Sequence, residues 1–122
     1  MKEILLVGFG GFVGSIVRYL VSKLNVSWQV LSIPMGTLTV NVLGSLLIGF
    51  LVGISAKSDL ISNELRLLLM VGFCGGFTTF SSFTNENLML MQNGQFLTVI
   101  LYTSLSLFLG FLAVYVGYIF GS

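Results

Sequence analysis

The chain has 122 residues, 56% hydrophobic and only 7% charged, with a net charge of +1 and a mean hydropathy of +1.06. A soluble domain carries about 25% charged residues, so this composition cannot build a polar shell and points to an integral membrane protein. The near-neutral balance offers no basic field for nucleic acid, and one cysteine without any histidine excludes an internal disulfide and ordinary Cys/His metal centres.

At ~20 residues per crossing, the chain has room for about four helices in a single domain, 1–122. The N-terminal apolar run does not read as a secretory signal. Lys2 and Glu3 leave its start with little charge, and its glycine-rich stretch leads into Arg18 without a cleavage site. Span 1 is placed at 4–21, with Arg18 and Lys23 near its far end, where long basic side chains reach water. Residues 25–34 read as a loop, with Trp28 as an interfacial anchor. Span 2 covers 36–54 and follows Pro34, whose missing N–H costs little at a helix start. A polar connection, 55–63, contains Lys57 and Asp59. Span 3 covers 64–91, long for one straight crossing, and Gly75-Gly76 marks a break in it. Residues 92–95 form a tight turn, and span 4 covers 96–120. With four spans, both termini lie on one side.

Charge barely orients this arrangement. Lys2, Lys57 and Arg66 lie on the side of the termini, and Arg18 and Lys23 on the other. Orientation follows Lys/Arg bias in short loops, so two readings stand: a fixed orientation set by weak cues, or insertion both ways with opposite copies pairing. Gly10/Gly14, Gly49/Gly53 and Gly72/Gly76 have small-xxx-small spacing, which serves packing within a subunit or between subunits. Four short helices enclose little volume, so a solute path is more easily built in an oligomer.

One segment departs from lipid-facing sequence: GFCGGFTTFSSFT at 72–84. Beyond the glycines, helical spacing sorts its side chains into columns. Thr79, Ser82 and Glu86 form one, Thr78, Ser81 and Asn85 a second, and Phe80, Phe83 and Asn87 a third. Hydroxyls donate hydrogen bonds and replace water stepwise. Phenyl rings carry a positive edge, so Phe80 and Phe83 can meet a small anion edge-on. Such sites bind weakly enough for the ion to leave, as conduction requires. The bland alternatives are lipid-facing phenyls and hydroxyls that back-bond to the preceding turn. Glu86 is then protonated, placed in a vestibule, or paired with a base; intramembrane acids are functional candidates by default. Where the helix unwinds, its carbonyls need partners. A cation on the carbonyls of Gly75 and Thr78 would satisfy them; a kink without an ion is the alternative. In span 2, Thr37, Asn41 and Ser45 share a face, and Asn41 offers two donors or simple helix–helix glue. Arg18 suits helix-end carbonyls or an entering anion. Tyr102, Ser104 and Ser106 add polar groups to span 4, and Cys74 reads as a small buried residue.

Three stretches resemble the Fluc (CrcB) family of fluoride channels: GGFVGSIVRY at 10–19, GTLTVNVLG at 36–44 and GFCGGFTTFSSF at 72–83. The resemblance covers all four spans. It implies a multi-pass protein of the cell membrane, built as an antiparallel, dual-topology homodimer with two fluoride pores. Phe80 and Phe83 match the paired pore phenylalanines, Asn41 the pore asparagine, and Ser81 and Ser82 hydroxyl positions along the path. Ser82 stands where threonine is common. Glu86 matches an acidic position near one end of the polar track, to which Thr79 and Tyr102 are added here. Gly75 and Thr78 match the residues whose carbonyls, from both subunits, hold a structural sodium ion, and Arg18 matches the first-span arginine. The fourth-span serine expected near Gly110 is missing, with Ser104 and Ser106 one to two turns earlier. The implied role is passive fluoride efflux, which protects a cell that HF has entered.

The competing class is a small multidrug-resistance-type exporter, which resembles this chain in span number and length. Such carriers use a glutamate deep in span 1, and residues 4–17 contain no ionisable group. A structural subunit that conducts nothing is a third class, and predicts no role for the Phe80/Phe83 face. An enzyme is disfavoured because the chain has no nucleophile–base pair or metal-ligand cluster.

Overall fold

A computed structural model describes residues 1–122. Four helical stretches are long and apolar enough to cross a membrane: Lys2–Ser27, Met35–Lys57, Asn63–Gln92 and Phe96–Gly121. The first comprises α1 (Lys2–Ser22) and the single turn α2 (Leu24–Ser27); the second is α3 (Met35–Lys57) and the last α7 (Phe96–Gly121). The third is composite. It starts as α4 (Asn63–Arg66), capped by the Ser62 hydroxyl on the N–H of Leu65, and widens into a π-helix, Leu67–Cys74. It closes as α5 (Gly75–Phe77) and resumes as α6 (Ser81–Gln92).

Residues 25–34 differ from the expected loop. They hold α2 and a small antiparallel hairpin, β1 (Gln29–Val30) paired with β2 (Ile33–Pro34). Its two-residue turn puts Leu31 and Ser32 at φ +55° and +69°. Such turns need positive φ at both positions and favour Asn and Gly, so the local signal for a hairpin is absent. Tertiary bonds hold it: Thr98 Oγ1 donates to the Leu31 carbonyl and Gln95 Nε2 to Ser32 Oγ, both at 3.3 Å. The turn before α7 is the expected tight one. Gly94 has φ +76°, and the bonds Gln95 N–H to Leu90 C=O and Gly94 N–H to Met91 C=O end α6 in a Schellman motif.

Glycine decides how the helices pair. α1 lies chiefly on the third span and α3 chiefly on α7. A Cβ at Gly10 or Gly14 would strike the backbone of residues 68–77, and one at Gly72 or Gly76 the backbone of α1. Gly49 and Gly53 meet the α7 backbone in the same way, and Gly117 and Gly121 meet that of α3. All three small-xxx-small pairs therefore serve contacts within the chain. A compact apolar cluster of Ile33, Leu38, Leu90 and Tyr102 seals the end beside the hairpin, with Phe83 packed against it.

A side chain at Gly14 will force α1 off the third span. Gly14→Val is expected to lose ~1–3 kcal/mol or more, as overpacking does, read as a lower melting temperature in detergent. Gly8 faces open space, so Gly8→Ala will melt no lower than the wild type.

Candidate functional site

The break in the third span lies two residues past the Gly75-Gly76 pair that marks it in the sequence. Gly75 and Gly76 are helical, and the chain departs at Thr78, which is extended (φ −86°, ψ 157°). The glycines are not there to unwind the helix. Gly76 is small because its Cβ would lie 2.6 Å from the Gly11 carbonyl, whereas Gly75 faces open space.

Asn41 makes the departure stable. Its Oδ1 accepts the Thr79 N–H at 2.8 Å and its Nδ2 donates to the Thr79 carbonyl at 3.1 Å. In a continuous helix that N–H would go to the Gly75 carbonyl. Likewise the Ser82 N–H, which would return to the Thr78 carbonyl, goes to Thr79 Oγ1 at 3.1 Å and starts α6. The carbonyls of Gly75 and Thr78 consequently accept no hydrogen bond. Arg18 Nε donates to the Gly76 carbonyl at 2.9 Å, so the first-span arginine caps this helix end. Thr78 Oγ1 bonds back to the Cys74 carbonyl at 2.9 Å, and Ser45 Oγ to that of Asn41 at 2.8 Å.

Around the break opens a cavity of about 370 Å3, lined among others by Asn41, Ser45, Thr79, Phe80, Phe83 and Ser106. Phe80 is 76% exposed, and its ring centroid lies 6.0 Å from that of Phe83, at 44°. Phe83 in turn meets Tyr102 edge-on at 4.9 Å. Gly75, Thr78, Cys74 and Met70 complete part of the wall. Ser106, one turn before Gly110, reaches the cavity, and its buried hydroxyl has no hydrogen-bond partner. Helix spacing from Tyr102, four residues before it, is the signal that links the two.

A second cavity, about 530 Å3 and rich in amides and hydroxyls, lies past α6 under the hairpin. Asn25, Gln29, Ser82, Asn85, Glu86 and Gln95 help to line it. Glu86 stands at its inner end without a basic partner. It accepts hydrogen bonds from Tyr102 Oη at 2.7 Å, Asn25 Nδ2 at 3.2 Å and Thr37 Oγ1. Of the alternatives for this acid, the ion pair is not formed; the only salt bridge is Lys2–Glu64, exposed and at 3.1 Å. Tyr102 is fully buried and touches the track through Glu86. Ser81 is exposed and lines neither cavity. Between the two cavities runs a chain of side-chain contacts: Phe83 of the first meets Tyr102, which bonds Glu86 of the second. Asn25 and Thr37 complete the acid's surroundings, and of these only Thr37 stood on a face picked out by spacing.

The family model described as CrcB-like protein, Camphor Resistance (CrcB), matches residues 5–118. The chain belongs to the CrcB family. A protein of Chlorobium chlorochromatii strain CaD3, named fluoride-specific ion channel FluC, is 50% identical over 120 residues, covering 96% of this chain and 90% of its own. Proteins of the same name from Azobacteroides pseudotrichonymphae and Flavobacterium psychrophilum are 44% and 42% identical over 119 residues, each covering 98% of this chain and 95% and 96% of their own. The family is one of channels, not enzymes, and the four apolar helices make this member a multi-pass membrane protein.

Proposed function

We propose that this chain is a fluoride-selective channel of the cell membrane, through which fluoride leaves passively and the cell is protected from it. The cavity at the break carries the reading of an anion path: its wall brings Phe80 and Phe83 together with Asn41, Thr79 and Ser106. The choice of fluoride follows the name printed for the relatives. Phenyl edges and hydroxyl donors attract an anion without a full positive charge, which favours passage over trapping. Ser82 and Glu86 continue the track into the second cavity, with Ser81 beside them on α6. The acid tolerates the anion path because its charge is already spread over three donors.

The working unit is an antiparallel, dual-topology homodimer. Support comes from the exposed Phe80 and the open surface at Gly75, both on the cavity wall, and from the near-balanced basic residues. A second copy facing the first would close the cavity, and lipid would cover the remaining apolar surface.

A sodium ion at the dimer centre is the further part of this reading. The residues fit such an ion. The carbonyls of Gly75 and Thr78 are left without donors, and no cluster of acids competes to hold a divalent metal. Neutral oxygens suit a monovalent cation. One chain offers this pair of carbonyls, and a two-fold axis would double them.

Protein in liposomes is expected to release fluoride, but almost no chloride, under a potassium gradient with valinomycin, read by ion-selective electrode. Phe80→Ile and Asn41→Asp will each cut the flux while the assembly persists on gel filtration. No fluoride release from wild type would refute the function, and full flux in both variants would move the path elsewhere.

Terminal tags probed from each face of sealed vesicles should appear in comparable amounts; a single orientation would refute dual topology. Replacing sodium by a bulky organic cation during purification will lower the dimer's melting temperature, and an unchanged melt would remove sodium from the assembly.

A further inference from the structure

Asn25 lies outside every motif quoted above. α1 stops at Ser22, and the single turn of α2 folds the chain back so that Asn25 meets the start of α3. Pro34 occupies the N-cap of α3 and provides no side-chain cap. Asn25 supplies one from a distance: its Oδ1 accepts the Thr37 N–H at 2.9 Å. Its Nδ2 donates to Thr37 Oγ1 at 2.9 Å and to Glu86 Oε2 at 3.2 Å. Those two acceptors are hydrogen-bonded to each other, so they lie on one side of the amide and share one of its two hydrogens.

This arrangement gives the Thr37 hydroxyl a direction. A hydroxyl is both donor and acceptor and rotates to suit its neighbours. Thr37 Oγ1 receives a hydrogen from Asn25, so its own hydrogen goes to Glu86 Oε2. Thr37 lies in the first turn of α3, where the helix dipole favours an anion. Asn25, Thr37 and Tyr102 thus present three hydrogens to one carboxylate that no cation approaches.

We infer that Asn25 is a positioning residue for Glu86, and that it acts by fixing the direction of the Thr37 hydroxyl. Its amide, set in the connection between the first two spans, aims a third-span acid at the inner end of the second cavity. The inference rests on the fluoride reading only for its flux readout.

Asn25→Asp tests it with little change of shape. Both oxygens of an aspartate accept, so the Thr37 hydroxyl turns away from Glu86 and two carboxylates meet. The expected result is a lower melting temperature and a fluoride efflux reduced at least about tenfold, the factor one charge-assisted hydrogen bond is worth. The double variant Asn25→Asp/Glu86→Gln reverses the chain of donors and leaves no hydrogen bond unmade, but moves the charge to position 25. It should regain the melting temperature and not the flux. Wild-type behaviour of Asn25→Asp would overturn the inference, as would a double variant no more stable than Asn25→Asp. Recovery of flux in the double variant would reduce Asn25 to a structural tie and also overturn it. If Asn25→Asp does not fold, folding of the double variant supports the inference and its failure refutes it. If wild type passes no fluoride, the fluoride reading fails and the melting temperatures still decide the role of Asn25.

Discussion

In hydrocarbon every backbone N–H and C=O must find a partner inside the protein. A helix that breaks there creates a local debt of polar groups. The rest of this structure is organised around the way that break is satisfied. Asn41 takes both backbone groups of Thr79, the Thr79 hydroxyl takes the Ser82 N–H, and Arg18 takes the Gly76 carbonyl. The three side chains belong to three different spans. Breaking the helix therefore ties the bundle together, and it leaves the carbonyls of Gly75 and Thr78 unclaimed. Two of these side chains, Asn41 and Thr79, also line the cavity, so stability and the cavity share atoms.

Glu86 shows how an acid fits such a wall. Burying a charge without partners is expensive, and a lysine or arginine beside it would hold any passing anion. Neutral donors resolve the conflict. Tyr102, Thr37 and Asn25 come from α7, α3 and α2, so the carboxylate is a joint between elements. The Phe83–Tyr102 edge contact then couples this joint to the phenyl pair.

Much of this was legible in the residues. Four spans follow from hydropathy, and their bounds agree within a few residues with the helices observed. The wall residues Phe80, Phe83 and Asn41 come together as expected. The break falls just past the glycine pair because such a pair is ambiguous: it marks unwinding or close helix contact, and at Gly76 the contact with Gly11 is the reason. What ends the helix is Asn41, 38 residues away in sequence, and no local pattern carries that. The hairpin was hidden because Leu31 and Ser32 adopt a turn that their own preferences oppose. Asn25 was hidden because a lone amide in a loop has no periodicity to betray it. Ser106 is one of two hydroxyls that precede Gly110, and only the packing of α7 shows that it, not Ser104, lines the cavity.

The glycine-lined helix pairs have a consequence for how the chain is made. α1 finds its main partner in the third span and α3 finds its own in α7, so the pairs interleave along the chain. Synthesis delivers the first member of each pair well before the second. The early helices enter the bilayer without their closest neighbours, and Arg18 waits for a carbonyl that is still inside the ribosome. The bundle is complete only once the last helix meets the Gly49/Gly53 face. A protein assembled in this order is built most vulnerably at its C-terminal end, where truncation would strand α3 as well as remove α7.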